Sequence, residues 1–366
     1  MKYYRLDKID KYNARYNIIV SGRSDGKTYA VQEKIIKRAL ETGNQEQGAI
    51  IRRWSEDFTG KRGQQMFSAL VENGLVKKYS KGRWNNIKYY ASKWYFCNYD
   101  YDEHKIIETD DDPFCYGFAL TSYEHDKSTS YPRVKWILFD EFITNFTYLP
   151  DEFVMFCNVI STLCRSNDKC VIYMLGNTIS KYCPYFENMG LKHISKMKKG
   201  TIDIYNYGDS GLKVAVEYPD VTQNGIFKKK SDVFFAFDSP KLKMITQGDW
   251  QLDIYPHCPR KYTPKEVRFT FFIEFDQMIF HCDIVCGKAD CFVFIHPKTT
   301  DIKDRNKELI YTTRFADPRP NIRKCFMHPI DRADEKIRDL YMQGKFFYSD
   351  NSTGDAIKHF MELITK

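Results

Sequence analysis

The sequence predicts an α/β protein: a parallel sheet with helices on both faces, followed by a smaller α+β domain. Three observations carry that expectation. An apolar segment, Tyr16 to Val20, passes through Ser21-Gly22-Arg23-Ser24-Asp25-Gly26-Lys27-Thr28 into a stretch with apolar residues at helical spacing, Ala30, Val31, Ile35, Ala39 and Leu40. Strand and helix signals then alternate until about residue 200, as they do in a parallel sheet with crossover helices. Beyond that point the chain turns polar and basic, and strand signals dominate until two closing helices.

Each element has its own signal. Ala49 to Arg53 reads as a strand, and Ser55 to Glu72 as a helix with Ser55 as N-cap. Lys77 to Cys97 is rich in Tyr, Trp and Lys and is expected to form a hairpin turning at Gly82. Tyr116 to Thr121 and Val134 to Phe139 read as buried strands, Asp151 to Cys164 as a helix after Pro150, and Cys170 to Leu175 as another apolar strand. Lys196 to Gly200 is basic, and Asp203 to Lys230, polar with Gly and Asn, reads as a linker or small connecting subdomain. Strands are expected at Val233 to Phe237, Arg268 to Phe275, Met278 to Val285 and Cys291 to Ile295, and helices at Asp331 to Met342 and Thr353 to Ile364. The expected domains are residues 1–205, a connecting segment 206–230, and 231–366.

Bulk composition narrows the function classes. With 366 residues, 43% of them hydrophobic, the chain is long enough for about two domains with full cores. No run of about 18 apolar residues exists, so no membrane span is expected. Met1 to Arg5 lacks the apolar core of a signal peptide. Eleven scattered cysteines in such a chain read as free thiols in a reducing compartment. His281, Cys282, Cys286 and Cys291 lack a Cys-x-x-Cys pair, and strand alternation splits them between two faces, which argues against a zinc site. The net charge of +8 supports a polyanionic partner such as nucleic acid.

The stretch Ser21 to Thr28 carries the first chemistry. A tight turn ending in Gly-Lys-Thr between strand and helix aims backbone N–H groups and the helix dipole at phosphates. Lys27 adds a charge on the outer phosphates of ATP, and the Thr28 hydroxyl ligates Mg2+. Ser21 stands where the usual pattern begins with glycine, and Gly22 beside it offers flexibility. Arg23 inside the loop is expected to contact the phosphates or a neighbouring subunit. A second motif is Lys135 to Phe142, an apolar strand ending in Asp140-Glu141. Asp140 would hold the magnesium through water, and Glu141 would accept a proton from, or orient, the attacking water. Either motif alone is common in ordinary turns and strand ends; together they are specific for nucleotide hydrolysis. A third strand, Val171 to Leu175, ends in Gly176-Asn177-Thr178, where Asn177 could touch the γ-phosphate or the water, or simply cap the strand.

These motifs sit in the stretches Gly22 to Ala30, Ile51 to Arg53, Ser128 to Phe142 and Gly176 to Phe186. In that order and spacing they resemble the DNA-packaging ATPases of small phages of the phi29 type, P-loop NTPases of the ASCE class related to terminase large subunits. The resemblance covers most of the first domain and weakens after about residue 200. It implies a ring of subunits, five in that family, that hydrolyses ATP at subunit interfaces and drives double-stranded viral DNA through a portal into a procapsid, in the host cytoplasm. It implies that Arg165 is a trans-acting arginine finger and that Lys127 acts across the subunit interface. It also implies an RNase H-like second domain, a vestigial nuclease that docks onto a structural packaging RNA. The acids there, Glu274, Asp276, Asp283, Asp290 and Asp350, form no convincing metal-binding set in the sequence. DNA contacts are expected mostly to phosphate, from Lys77, Lys78, Lys81, Arg83 and Lys88 or from Lys198, Lys199, Lys228, Lys229 and Lys230. Two rivals remain: a terminase with a live metal-dependent nuclease, and a nucleotide-gated binding module without turnover, which has no use for Glu141.

Overall fold

The computed structural model describes residues 4–23, 25–122, 129–144, 148–165, 169–178, 183–220, 255–276, 278–288, 290–313 and 317–365. The chain divides into two compact units, Met1–Gln251 and Leu252–Lys366.

In the first unit, β1 (Tyr16–Ser21) leads into α1 (Lys27–Glu41) and β2 (Gln47–Arg52). Three short helices follow, α2 (Gly60–Gln65), α3 (Ser68–Glu72) and α4 (Leu75–Tyr79), then β3 (Asn86–Tyr90), β4 (Lys93–Asp100), β5 (Lys105–Thr109) and β6 (Cys115–Ala119). The unit is completed by β7 (Val134–Asp140), α5 (Glu152–Cys164), β8 (Val171–Asn177), α6 (Pro184–Asn188), β9 (Thr201–Tyr207) and β10 (Leu212–Tyr218). The strands form one sheet in the order β3-β4-β6-β2-β7-β8-β1-β10-β9, with β5 on β4. From β6 to β10 all neighbours are parallel; β9 closes one edge antiparallel and the β3–β5 group the other.

Strand alternation distributes the core to both faces. Ile18, Val20, Ile137 and Phe139 pack with Phe156, Ile160 and Leu163 of α5. Ile19, Trp136 and Leu138 pack with Val31, Ile35 and Ala39 of α1. A strand buried on both sides reads as a continuous apolar run, which is why these strands are visible in the sequence.

The second unit contains β11 (Val267–Phe275), β12 (Met278–Cys286), β13 (Cys291–Lys298), β14 (Ile310–Thr312), β15 (Ile322–Arg323), α7 (Arg332–Met342), β16 (Phe346–Tyr348) and α8 (Asn351–Ile364). Its sheet runs β15-β14-β11-β12-β13-β16. The three long strands form an antiparallel meander, extended by parallel strands beside β11 and beside β13. Asp331 caps α7 by accepting from Ala333 and Asp334 N–H, and Asp350 caps α8 by accepting from Thr353 N–H. Gly354 lets α8 approach Tyr255, whose Cγ would lie 2.2 Å from an added Cβ.

Several expectations need correction. The helix expected over Ser55 to Glu72 is broken into a 3-10 turn, α2 and α3. Gly60 takes φ +49°, and at Gly63 an added Cβ would meet the Tyr89 ring at 2.3 Å. Trp54 rather than Ser55 occupies the N-cap position. The hairpin exists but turns at Ala91-Ser92, both left-handed, while Gly82 follows α4. The connecting segment expected from residue 206 contains β10, which pairs with β1 inside the main sheet. The strand expected at Val233 to Phe237 lies outside the described residues. Cys286 and Cys291 oppose each other across β12 and β13 and form a disulfide, so the expectation of free thiols applies to the nine others, of which Cys157 is exposed. No helix among the described residues is long and apolar enough to cross a membrane.

Candidate nucleotide-binding site

The site is built at the carboxyl ends of β1, β8 and β7, which lie side by side with β8 in the middle. Register places Ser21 opposite Asn177 and Asp140 opposite Leu175, so the three strand tips share one edge. Gly26, at φ +88°, turns the loop into α1, whose N-terminus has no side-chain cap. A glycine is required there because a Cβ disfavours that backbone conformation. The N-terminal segment props the loop through Tyr4 N–H donating to the Asp25 carbonyl at 3.0 Å.

Lys27 points back across this edge. It is only 6% exposed, and its Nζ donates to Ser21 Oγ at 2.9 Å, Gly22 O at 2.8 Å and Asn177 Oδ1 at 3.2 Å. All three acceptors are neutral. Burial pulls the ammonium down to about 8 from its ordinary 10.5, against the opposing pull of Asp25 and Asp140. A buried cation on neutral acceptors, at an uncapped helix start, fits an anion such as a triphosphate. Thr28 Oγ1 donates to the Asp140 carboxylate at 3.2 and 3.3 Å, which joins the two residues expected to hold Mg2+. Burial raises the Asp140 carboxyl; Arg52, Thr28 and Lys27 oppose that shift, and Glu141 adds to it.

Glu141 follows Asp140 at φ +58°, a left-handed conformation rare for a side-chain-bearing residue. Its side chain is 64% exposed and receives Nη1 of Arg52 at 2.6 Å, while Nη2 of the same guanidinium lies 3.5 Å from Asp140. Arg52 thus spans both carboxylates. Arg53 beside it is buried and donates to both Glu152 oxygens at 2.8 Å and to the carbonyls of Glu141 and Phe142. The sequence motifs assign no role to either arginine; the available signal is two adjacent cations at the tip of a strand.

The structure therefore brings together Ser21, Gly22, Asp25, Gly26, Lys27, Thr28, Asp140, Glu141 and Asn177. Arg23 is exposed in the loop, and Ser24 and Lys127 lie outside the described residues. Arg165 is not part of this cluster. It sits at the C-terminal cap of α5, a helix of 13 residues or about 20 Å that begins near the strand tips and runs away from them. Its neighbours in sequence, Cys164 and Cys170, lie by Arg15 at the opposite end of β1.

The family model for the Podovirus DNA encapsidation protein (Gp16) matches residues 1–233, well over half of the chain. The chain belongs to this family. Among its relatives, the DNA packaging protein of Bacillus phage B103 is 25% identical over 253 residues, covering 64% of this chain and 71% of that protein. The DNA packaging protein of Bacillus phage phi29 is 24% identical over 193 residues, or 50% of this chain and 49% of that protein. Among solved structures, the bacteriophage Phi-29 viral genome packaging motor assembly matches with a TM-score of 0.59 at 19% identity, over 99% of each chain. The Phi-28 gp11 DNA packaging motor matches with a TM-score of 0.58 at 16% identity, over 100% of this chain and 98% of that one. At these identities the likeness establishes the fold.

In this Gp16 family member, Lys77, Lys78, Lys81 and Arg83 form an exposed basic group on α4 and the turn after it, and Lys88 lies half-exposed on β3. Lys198 is exposed and Lys199 half-exposed before β9; Lys228, Lys229 and Lys230 lie outside the described residues. The acids of the second unit do not converge. Glu274 pairs with both guanidinium nitrogens of Arg305, Asp283 with His281, and Asp290 with Arg260, while Asp350 caps α8 and Asp276 sits in the turn after β11.

Proposed function

We propose that this chain hydrolyses ATP to drive double-stranded viral DNA into a procapsid, as one subunit of a ring with shared active sites. The observation that carries the reading is the convergence of Lys27, Thr28, Asp140, Glu141 and Asn177 on one sheet edge, with a buried lysine charge that has only neutral hydrogen-bond acceptors. Membership of a DNA encapsidation family supports the packaging half.

Lys27 and the first N–H groups of α1 bind and orient the triphosphate, with Arg23 on its exposed side or on a neighbouring subunit. Thr28 and Asp140 would hold Mg2+, which would supply positive charge against the phosphoryl oxygens. Glu141 accepts a proton from the attacking water or orients it, and Arg52 fixes where that carboxylate points. Asn177 reports the γ-phosphate position from the central strand. Arg165 lies too far from its own loop to serve it, which favours action on the neighbouring subunit's nucleotide, with Lys127 at the same interface. The strand β10 extends the ATPase domain past residue 205.

We read the second unit as an RNase H-like domain without a working nuclease site, because Arg305 occupies the Glu274 carboxylate. Its partner would be a packaging RNA, and the ring, of five subunits, would sit transiently on the portal of a procapsid in the host cytoplasm. The exposed lysines and arginine of α4 and its turn are proposed to track DNA phosphates. Glu141→Gln provides the test. This variant is expected to bind a fluorescent ATP analogue like the wild type while turnover falls at least a hundredfold. Undiminished turnover would overturn the base assignment, and the binding-module reading would require that wild-type turnover itself be absent.

A further inference from the structure

We propose that the second unit binds a transition-metal cation of the Zn2+ class at His281, Asp283 and His296, a site separate from the nucleotide chemistry. The period of two along β12 puts His281 and Asp283 on the same face, and antiparallel register puts His296 of β13 directly opposite His281. One ligand atom from each lies within 4.8 Å of the others. His281 Nε2 and Asp283 Oδ1 are 2.9 Å apart, close to the spacing of two adjacent ligands on one ion.

The surroundings resemble a metal site's outer partners. Asp283 is 9% exposed and is held by the Thr270 hydroxyl at 2.8 Å and the Tyr262 hydroxyl at 3.3 Å. Nδ1 of His296 lies 3.2 Å from the Pro297 carbonyl, which selects the tautomer with a proton on Nδ1 and a lone pair on Nε2. The two imidazoles stack at 4.8 Å and 17°, and Phe272 meets the His281 ring edge-on. Metal entry would break the Nε2–Oδ1 hydrogen bond between His281 and Asp283, the neutral imidazole moving its single proton to Nδ1 so that the Nε2 lone pair faces the ion. Two imidazoles and one carboxylate suit Zn2+, Co2+ or Ni2+ rather than Mg2+ or Ca2+, and three protein ligands leave a fourth position for water. Glu274 and its neighbour Thr312 share this sheet face two residues further along β11 and β14, but the Glu274 carboxylate is held by Arg305. The site is not the cysteine-containing set weighed from the sequence: Cys282 is buried, and Cys286 and Cys291 are joined to each other.

Cobalt binding to the full-length chain, with excess Mg2+ and no nucleotide, tests this. The expected result is a visible d–d band that saturates at one Co2+ per chain and is displaced by Zn2+. His296→Gln and His281→Gln should each weaken Co2+ binding more than tenfold while melting like the metal-free wild type. Zn2+ should raise the melting temperature of the wild type but not of either variant. Absence of the band would overturn the proposal. So would an unchanged band in either variant, or a thiolate-to-cobalt transition showing cysteine ligands.

Discussion

Lys27 shows what this site costs the fold. A shift from 10.5 to about 8 corresponds to an unfavourable burial on the order of 3 kcal/mol. Because the folded value is the lower one, that cost is fully present below pH 8 and is relieved as pH rises towards 10.5. Lys27→Met is therefore expected to abolish nucleotide binding yet melt no lower than the wild type without nucleotide at pH 7. The variant's advantage in melting temperature should shrink above pH 8. A large loss of stability at pH 7 would mean that the three hydrogen bonds outweigh the buried charge. The identity of this residue was legible from Gly26-Lys27-Thr28, and that of the acids from a strand ending in Asp140-Glu141. The place of Arg52 was not, because its reach to both carboxylates depends on β2 lying beside β7. Ser21 looked like a departure from the usual loop pattern; in the fold its hydroxyl accepts from Lys27.

At the scale of elements, the Arg53–Glu152 pair fastens the tip of β2 to the start of α5 and to the carbonyls after Asp140. The two residues are 7% and 2% exposed, and Tyr185 also donates to Glu152 at 2.8 Å. Removing one partner strands a buried charge, so Arg53→Ala should cost about 3–5 kcal/mol in chemical denaturation. The pair Arg53→Met with Glu152→Leu should recover most of that loss; a single-variant cost below about 1 kcal/mol would contradict this anchoring role. The parallel strands were legible because burial on both faces makes them continuous apolar runs. The segment from Ser55 to Glu72 was not, because its apolar spacing suits a helix while Gly60 takes a left-handed turn and Gly63 packs against the Tyr89 ring. β10 was hidden for a related reason. Its core residues Val214, Ala215 and Val216 form a short run inside a polar stretch, and the partners β1 and β9 make a strand of it.

For the whole molecule, the order of strands separates the phosphate-loop strand from the acidic strand by β8 and so places Asn177 between them. That order is invisible in a linear sequence, although the three motifs that occupy it are not. The same topology sends α5 away from the site and leaves Arg165 at the far edge of the sheet. One subunit thus carries the loop, the acids and the polar strand tip, and the proposal that Arg165 serves a neighbouring copy's nucleotide rests on this placement. Mixing wild-type chain with increasing fractions of Arg165→Ala chain and measuring DNA-stimulated ATPase activity tests that claim most directly. If the arginine acts across the interface of a coordinated ring, activity should fall more steeply than the mutant fraction. A strictly proportional fall, or no fall, would contradict the shared site.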